Sequence, residues 1–246
     1  NPAGPFCLND IAYQLTSVNN GGNWSGPGVT STGLFYPSVA GVGIHTVNYQ
    51  IGLGTACASA PESIQIEVKP SPGLPTVTSP VIYCVGDSAV ALSATPDLPG
   101  NTLNWYTNAT GGTASVIAPI PSTAVQGNFN YWVSQTNAEG CESFRRQITV
   151  VVSPIPDIPV VTVTPATCTS DGNAVISNFN GIDSYEFNPP GPVVDGSGNI
   201  LGFNFNTPYE IKGDNGTCMS VFSSPFTIQE MLITPADPVI QTISAT

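Results

Sequence analysis

Six cysteines fall along this chain as three pairs, Cys7 with Cys57, Cys84 with Cys141 and Cys168 with Cys218, each bracketing one stretch between proline clusters. The second cysteine of every pair follows a glycine (Gly54, Gly140, Gly216), and an alternating apolar strand begins seven or eight residues later. An even cysteine count with one pair per stretch reads as a disulfide framework, and disulfides persist only outside the reducing cytosol. The expectation is an exported string of three modules, each stapled by its own bridge.

That rhythm divides the 246 residues into a first module at 1–69, a second at 74–153, a third at 159–234, and a linker at 235–246 leading into a following module. Modules this small bury little core. Closing loops of about fifty residues would contribute roughly 4 kcal/mol each in the chain-entropy picture. Glycine and proline number 25 and 24, below the low-complexity range, and 41% hydrophobic content is ample for packed cores.

The linkers read KPSPGLP (69–75) and SPIPDIP (153–159), with a third starting at Thr234. Alternating prolines favour extended, semi-rigid spacers, so the modules are expected end to end as a rod. With about 35 to 40 Å per module, its length would be about 110 Å. Within the modules the apolar period is two: Ile64, Ile66 and Val68; Val90 and Leu92; Ile148, Val150 and Val152; Tyr185 and Phe187; Phe226 and Ile228. Turn strings at 19–22 (NNGG), 108–112 (NATGG), 195–199 (DGSGN) and 213–216 (GDNG) punctuate these runs at the spacing of a β-sandwich. The predicted fold is all-β.

The strings GGNWSGPGVTSTGLFYPSVAGVGIHTVNY in the first module, LNWYTNATGG and NYWVSQTNAEGCES in the second, and ATCTSDGNAVIS with SYEF in the third carry a resemblance. They resemble the immunoglobulin-like modules and adhesin repeats of giant cell-surface proteins in Bacteroidetes-type bacteria, the gliding-motility adhesin among them. The second module is the most specific, because its phrases and the closing strand RRQITVVV occur in that family's order. His45 departs from the pattern where such modules often have a tyrosine. The resemblance implies three tandem immunoglobulin-like sandwiches, exported by the type IX route and attached to the cell surface or motility apparatus. Unlike the core-spanning bridge of antibody domains, each cysteine pair would tie a module's first segment to its last hairpin.

Charge speaks by exclusion. Four basic residues (Lys69, Arg145, Arg146, Lys212) against sixteen acidic ones leave no basic stripe for phosphates or anionic lipid. Nucleic acid is excluded as a partner. No apolar run approaches the length needed to span a bilayer, and the first residues lack the regions of a signal peptide, so no direct membrane insertion is expected. The proline-rich text at both ends reads as linker, as in a segment of a longer array.

Catalysis has little to work with. His45 is the sole histidine and shares strand parity with Val47, Tyr49 and Ile51, which places it at the edge of a core. A histidine-rich zinc site cannot be assembled, and paired cysteines leave no thiolate ligands. Sixteen acids leave paired-carboxylate chemistry open by count, yet three small modules offer no obvious deep cleft. The expectation is no enzyme and no cofactor.

Asp195, Asn199 and Asp214 are calcium candidates, since they supply hard oxygen ligands in turns. Tight hairpins need the same residue types, and neither string holds the full ligand set of a known loop motif. Trp24, set among Asn, Gly and Ser in a turn, is the candidate for glycan contact; Trp105 and Trp132 sit in strand patterns and belong to the core. Asn23, Asn108 and Asn215 head N-x-[ST] triplets, a pattern common by chance in such a composition. The string Asp87, Ser88, Ala89 resembles the Bacteroidetes signal for O-linked glycans, which would place a sugar on Ser88.

These readings point to a structural or adhesive segment of a large secreted adhesin, a non-catalytic extended spacer. Its partners would be neighbouring modules of the same polypeptide, with surface polysaccharide or other cell-surface proteins as ligands. Two other classes compete: carbohydrate-binding accessory modules of a secreted glycan-degrading enzyme, and a surface-layer or filament subunit that assembles through its edge strands.

Overall fold

The computed structural model describes residues 3–239, and its strands carry the period-two pattern into alternating burial. The chain divides into two compact units. The first is Asn1–Tyr83 with Ser88–Thr123 and Gly127–Val151; the second is Cys84–Asp87 with Ala124–Gln126 and Val152–Thr246. The last residues of the expected 235–246 linker, 240–246, lie outside the described residues.

The first unit begins with β1 (Phe6–Cys7), β2 (Tyr13–Gln14), β3 (Gly22–Ser25), β4 (Leu34–Phe35), the one-turn helix α1 (Pro37–Ala40), β5 (Gly43–Ile51) and β6 (Glu62–Lys69). One sheet has the order β1-β6-β5-β3, with β1 parallel to β6; β2 and β4 form the facing pair. Leu15, Phe35, Val47, Ile66 and Val68 are buried between them. Ile64, Ile66 and Val68 sit on one face because side chains in a strand alternate sides. His45, half-buried on β5, points its Nε2 at the Gly41 carbonyl, 2.7 Å away.

The chain continues through β7 (Thr76–Val77), β8 (Val81–Cys84), β9 (Ala94–Thr95), β10 (Thr102–Tyr106), β11 (Gly127–Thr136) and β12 (Arg146–Ser153), all in the first unit save Cys84 and residues 152–153, which fall in the second. The main sheet has the order β10-β11-β12-β8, and β7 pairs with β9. Ile148, Val150 and Val152 are buried on alternate positions of β12, and Trp105 is 4% exposed. Residues 90–92 form no strand. Val90 faces solvent while Leu92 is buried, its N–H donating to the Pro119 carbonyl, so the alternation there is that of a loop pinned at one residue.

The second unit holds β13 (Val161–Thr164), β14 (Asn173–Ile176), β15 (Ser184–Asn188), β16 (Val193–Val194), β17 (Ile200–Leu201), β18 (Pro208–Asp214) and β19 (Phe226–Thr227). Its sheets are β15-β18-β19, β13-β14 and β16-β17, around a core of Ala174, Ile176, Phe187, Ile200, Tyr209, Ile211 and Ile228. Tyr209 meets Phe187 edge to face at 6.5 Å, an arrangement that adds to what burial alone contributes. Among the described residues the fold is all-β, with almost no helix.

The bridges differ from the expected pairing. Cys7 bonds Cys141 and Cys84 bonds Cys218, each over 134 residues, while Cys57 and Cys168 are free and exposed. No pair closes within one sequence repeat. The cause is position: the paired Cα atoms lie 5.5 and 5.8 Å apart, inside the reach of a disulfide, with the first cysteine of one repeat against the second cysteine of the next. Cys57 and Cys168 therefore leave the set of bridged residues.

Candidate functional site

Two junctions built around the bridges are the most elaborate features of the molecule, and they follow one plan. In the first unit Cys7 opens a C-x-x-D loop: its backbone N–H donates to Asp10 Oδ2 at 2.8 Å, and the Asp10 N–H returns to the Cys7 carbonyl at 3.0 Å. Cys141 sits on a C-x-S corner whose N–H donates to Asn137 Oδ1 at 2.9 Å. The Asn137 amide also donates to the Pro70 carbonyl at 2.8 Å, and the Leu8 N–H donates to Lys69 O at 3.0 Å. Both cysteine segments thus grip the same linker.

The linker is held from a buried glutamine as well. Gln135, fully buried, donates from Nε2 to Gly73 O at 2.7 Å and accepts the Asp97 N–H at 3.1 Å, while Asp97 Oδ2 accepts the Gly73 N–H at 2.7 Å. A buried amide is costly unless satisfied, so its side chain fixes where residues 70–73 run. The proline spacer is clamped by specific hydrogen bonds as well as stiffened by its own rings.

The second unit repeats the plan. The Cys84 N–H donates to Asp87 Oδ2 at 2.7 Å, the Cys218 N–H to Asn215 Oδ1 at 2.8 Å, the Asn215 amide to Pro154 O at 2.9 Å, and the Val85 N–H to Ser153 O at 3.0 Å. Every contact has its counterpart at the first junction. The sequence signal was present: aspartate stands three residues after Cys7, Cys84 and Cys168, and serine two residues after Cys57, Cys141 and Cys218.

A polar cluster that sequence reasoning missed lies in the first unit. The Tyr106 hydroxyl donates to Glu142 Oε1 at 2.6 Å, and the Ser134 hydroxyl donates to the same oxygen. Burial, then the Glu142 hydrogen bond, raise the Tyr106 phenol above its ordinary value. The Arg145 guanidinium lies 3.3 Å from the Tyr106 ring centroid and donates to Asn108 O and Gly111 O at 2.7 and 2.8 Å. One of four basic residues therefore fastens the 108–112 turn through a cation–π contact and two backbone bonds.

Trp24 lies in strand β3, not in a turn, opposite Tyr49, with ring centroids 4.8 Å apart. It is half-buried against the first core. A Cβ on Gly33 would stand 2.7 Å from the indole Nε1, so the glycine is what lets the ring approach so closely. Trp24 and Tyr49, with Tyr13, Asn19 and Glu62, line an open cavity of about 880 Å³. The Tyr49 hydroxyl donates to Asn19 O at 2.5 Å and accepts the Gly22 N–H at 2.8 Å, which holds one wall in place.

The calcium candidates are not brought together. Asp195 is engaged by its own hairpin between β16 and β17: Oδ2 accepts the Asn199 amide at 2.8 Å, and Oδ1 accepts the N–H groups of Ser197 and Asn199 at 2.8 and 2.9 Å. The Asn199 amide first, then these backbone donors, hold its carboxyl below the usual carboxylate range. Asp214 Oδ1 accepts the Gly216 N–H at the end of β18. Among the described residues no group of three or more His, Cys, Asp or Glu is placed to hold a metal ion. Ser88 is exposed in the loop after β8. Trp105 is buried on β10 and Trp132 half-buried on β11.

Residues 72–154 match a family model described as an Ig-like domain, CHU_C associated. No curated protein matches the chain. Among solved structures it is similar to chicken CNTN1 FN1-FN3, at 13% identity over 76% of this chain and 75% of that one, with a TM-score of 0.34. It is also similar to the ICAM-5 D1-D4 ectodomain fragment, at 15% identity over 77% and 56%, TM-score 0.34. Drosophila OTK extracellular domains 3-5 give 11% identity over 87% and 85%, TM-score 0.33. Among the described residues no helix is long and apolar enough to cross a membrane.

Proposed function

We propose that this chain is a non-catalytic spacer segment of a large extracellular adhesin of the cell surface, made of three immunoglobulin-like modules whose bridges transmit force. The observation that carries the reading is the repetition of one junction plan at Cys7–Cys141 and Cys84–Cys218. A bridge closed inside one module would limit only that module's unravelling. Staggered bridges limit the whole run. The shortest covalent path from Cys7 to Cys218 crosses one bridge, runs back along the 57 residues from Cys141 to Cys84, and crosses the other. Disulfides of this kind also require an oxidising compartment, which supports export; the gliding-motility and type IX assignments rest on the sequence resemblance alone.

The test is pulling on the intact chain with and without reductant. Oxidised protein should stop extending far short of the reduced protein, and equal extension in both conditions would end the reading. The cavity beside Trp24 favours a second role for the same segment, contact with surface polysaccharide, because aromatic rings next to polar groups in an open cavity suit sugar faces. A glycan-array signal lost in Trp24→Ala supports that role; an array blank for the native chain removes it.

A further inference from the structure

Cys57 and Cys168 are left over by the pairing, and each has bonded counterparts elsewhere in the molecule. Cys57 belongs to a C-x-S corner built like those of Cys141 and Cys218. The Ser59 N–H donates to Ile51 O at 2.9 Å, as Ser143 does to Gln135 O at 2.9 Å and Ser220 to Gly213 O at 2.8 Å. The Ser59 hydroxyl accepts the Ile51 N–H at 3.1 Å and donates to the next carbonyl at 3.0 Å. Ser143 and Ser220 make the same two bonds. Three corners share one hydrogen-bond frame, and in two of them the cysteine is bridged.

Cys168 stands likewise at the C-x-x-D position held by Cys7 and Cys84. Its aspartate is engaged differently: Asp171 Oδ1 accepts the Met231 N–H at 2.6 Å, where Asp10 and Asp87 accept the N–H of their own cysteine. In both bonded junctions a C-x-x-D cysteine meets a C-x-S cysteine, never its own kind. Exposed thiols left over in an oxidising compartment point to pairing with another polypeptide segment.

We infer that Cys57 and Cys168 are the two open halves of this same junction, each taking the complementary cysteine of another sandwich of this kind. Cys57 takes a C-x-x-D cysteine, and Cys168 takes a C-x-S cysteine. The inference rests on the staggered stapling proposed above and extends it beyond this chain's own modules. Each new bond forms as two thiols lose two protons and two electrons to a disulfide oxidant, which leaves as two thiols. Because the two halves differ, joining is head to tail and does not close on itself.

The complementary cysteine has two sources, a second copy of this chain or a further sandwich joined to it, and two arms separate them. In the first, Cys57→Ser and Cys168→Ser variants are oxidised with glutathione disulfide, alone and mixed. Each alone should stay monomeric, and the mixture should give a dimer linked Cys168 to Cys57. In the second, the full chain carries a duplicate of its residues 74–153 after Thr246, and Cys168 should bond the duplicated Cys141 and not the duplicated Cys84. A mixed dimer assigns the second copy; a bridged tandem without a mixed dimer assigns the joined sandwich. Like-with-like dimers from the single variants, or Cys168 remaining alkylatable in both arms, overturn the inference. Peptide mapping of the same digests reads the Cys7–Cys141 and Cys84–Cys218 bonds, so failure of the stapling itself is seen separately.

Discussion

The corners at Cys57 and Cys141 share the same serine and the same three hydrogen bonds, yet one ends in an exposed thiol and the other in a buried, bridged cysteine. Around Cys57 the serine is exposed; around Cys141 it is 7% exposed. The local frame therefore presents the sulfur, and what packs over the frame decides whether the sulfur is bonded. Beside Cys141, Asn137 and Gln135 also hold the linker carbonyls of Pro70 and Gly73. Cys57 has neither contact among those described.

The largest effect expected from this difference is mechanical. Fully unfolded but oxidised, the span from Cys7 to Cys218 should reach roughly 200 Å, against about 740 Å once both bridges are reduced. Cys57→Ser should leave the oxidised length unchanged in single-molecule pulling, whereas pairing inside the first repeat would make that substitution lengthen it.

Equilibrium denaturation sharpens the same contrast. Cys141→Ser opens a loop of 134 residues and should cost up to about 5 kcal/mol in the chain-entropy picture, while Cys57→Ser, at an exposed free thiol, should stay within about 0.5 kcal/mol. Comparable losses at both positions would break the distinction between a covered and an open corner.

Smaller effects follow at the hydrogen bonds. Gln135→Ala strands the Gly73 carbonyl and the Asp97 N–H and should cost about 1–3 kcal/mol, with faster hydrogen exchange at residues 70–75 as its local signature. Ser143→Ala should cost about 1 kcal/mol, and Ser59→Ala, whose partners face water, less than half of that.

The smallest effect concerns pH at an uncovered hairpin. The Asp195 carboxyl is held below its ordinary value by Asn199 and two N–H groups, so its contribution is complete above about pH 4 and is lost as pH falls through the lowered folded value. Asp195→Ala should remove that acid-side dependence from the exchange of the Ser197 and Asn199 amides and leave the bridges intact. An unchanged pH profile would show that the turn needs no charge.

Much of the fold was legible because strand periodicity is local. Ile64, Ile66 and Val68, then Ile148, Val150 and Val152, report their buried face by alternation alone, since a strand has only two faces. Residues 90–92 misled for the same reason: two apolar residues spaced by two also suit a loop in which Leu92 is pinned and Val90 is not. Trp24 looked like a turn residue because its neighbours are Asn, Gly and Ser, yet β5 supplies a partner strand that overrides their weak preference. The Tyr106, Ser134, Glu142 and Arg145 cluster joins β10, β11 and the segment before β12, and no short window holds all four.

What the amino-acid order settled by itself was the all-β class and two kinds of cysteine, one three residues before an aspartate and one two residues before a serine. Those properties depend on neighbours along the chain. Which cysteine meets which, and which stay free, was decided only in three dimensions, because a bond forms where folded segments bring Cα atoms within about 6 Å, whatever their separation in sequence. At both junctions an asparagine amide holds the linker carbonyl beside the bridge, Asn137 on Pro70 and Asn215 on Pro154, and the bonded partners stand 134 residues apart.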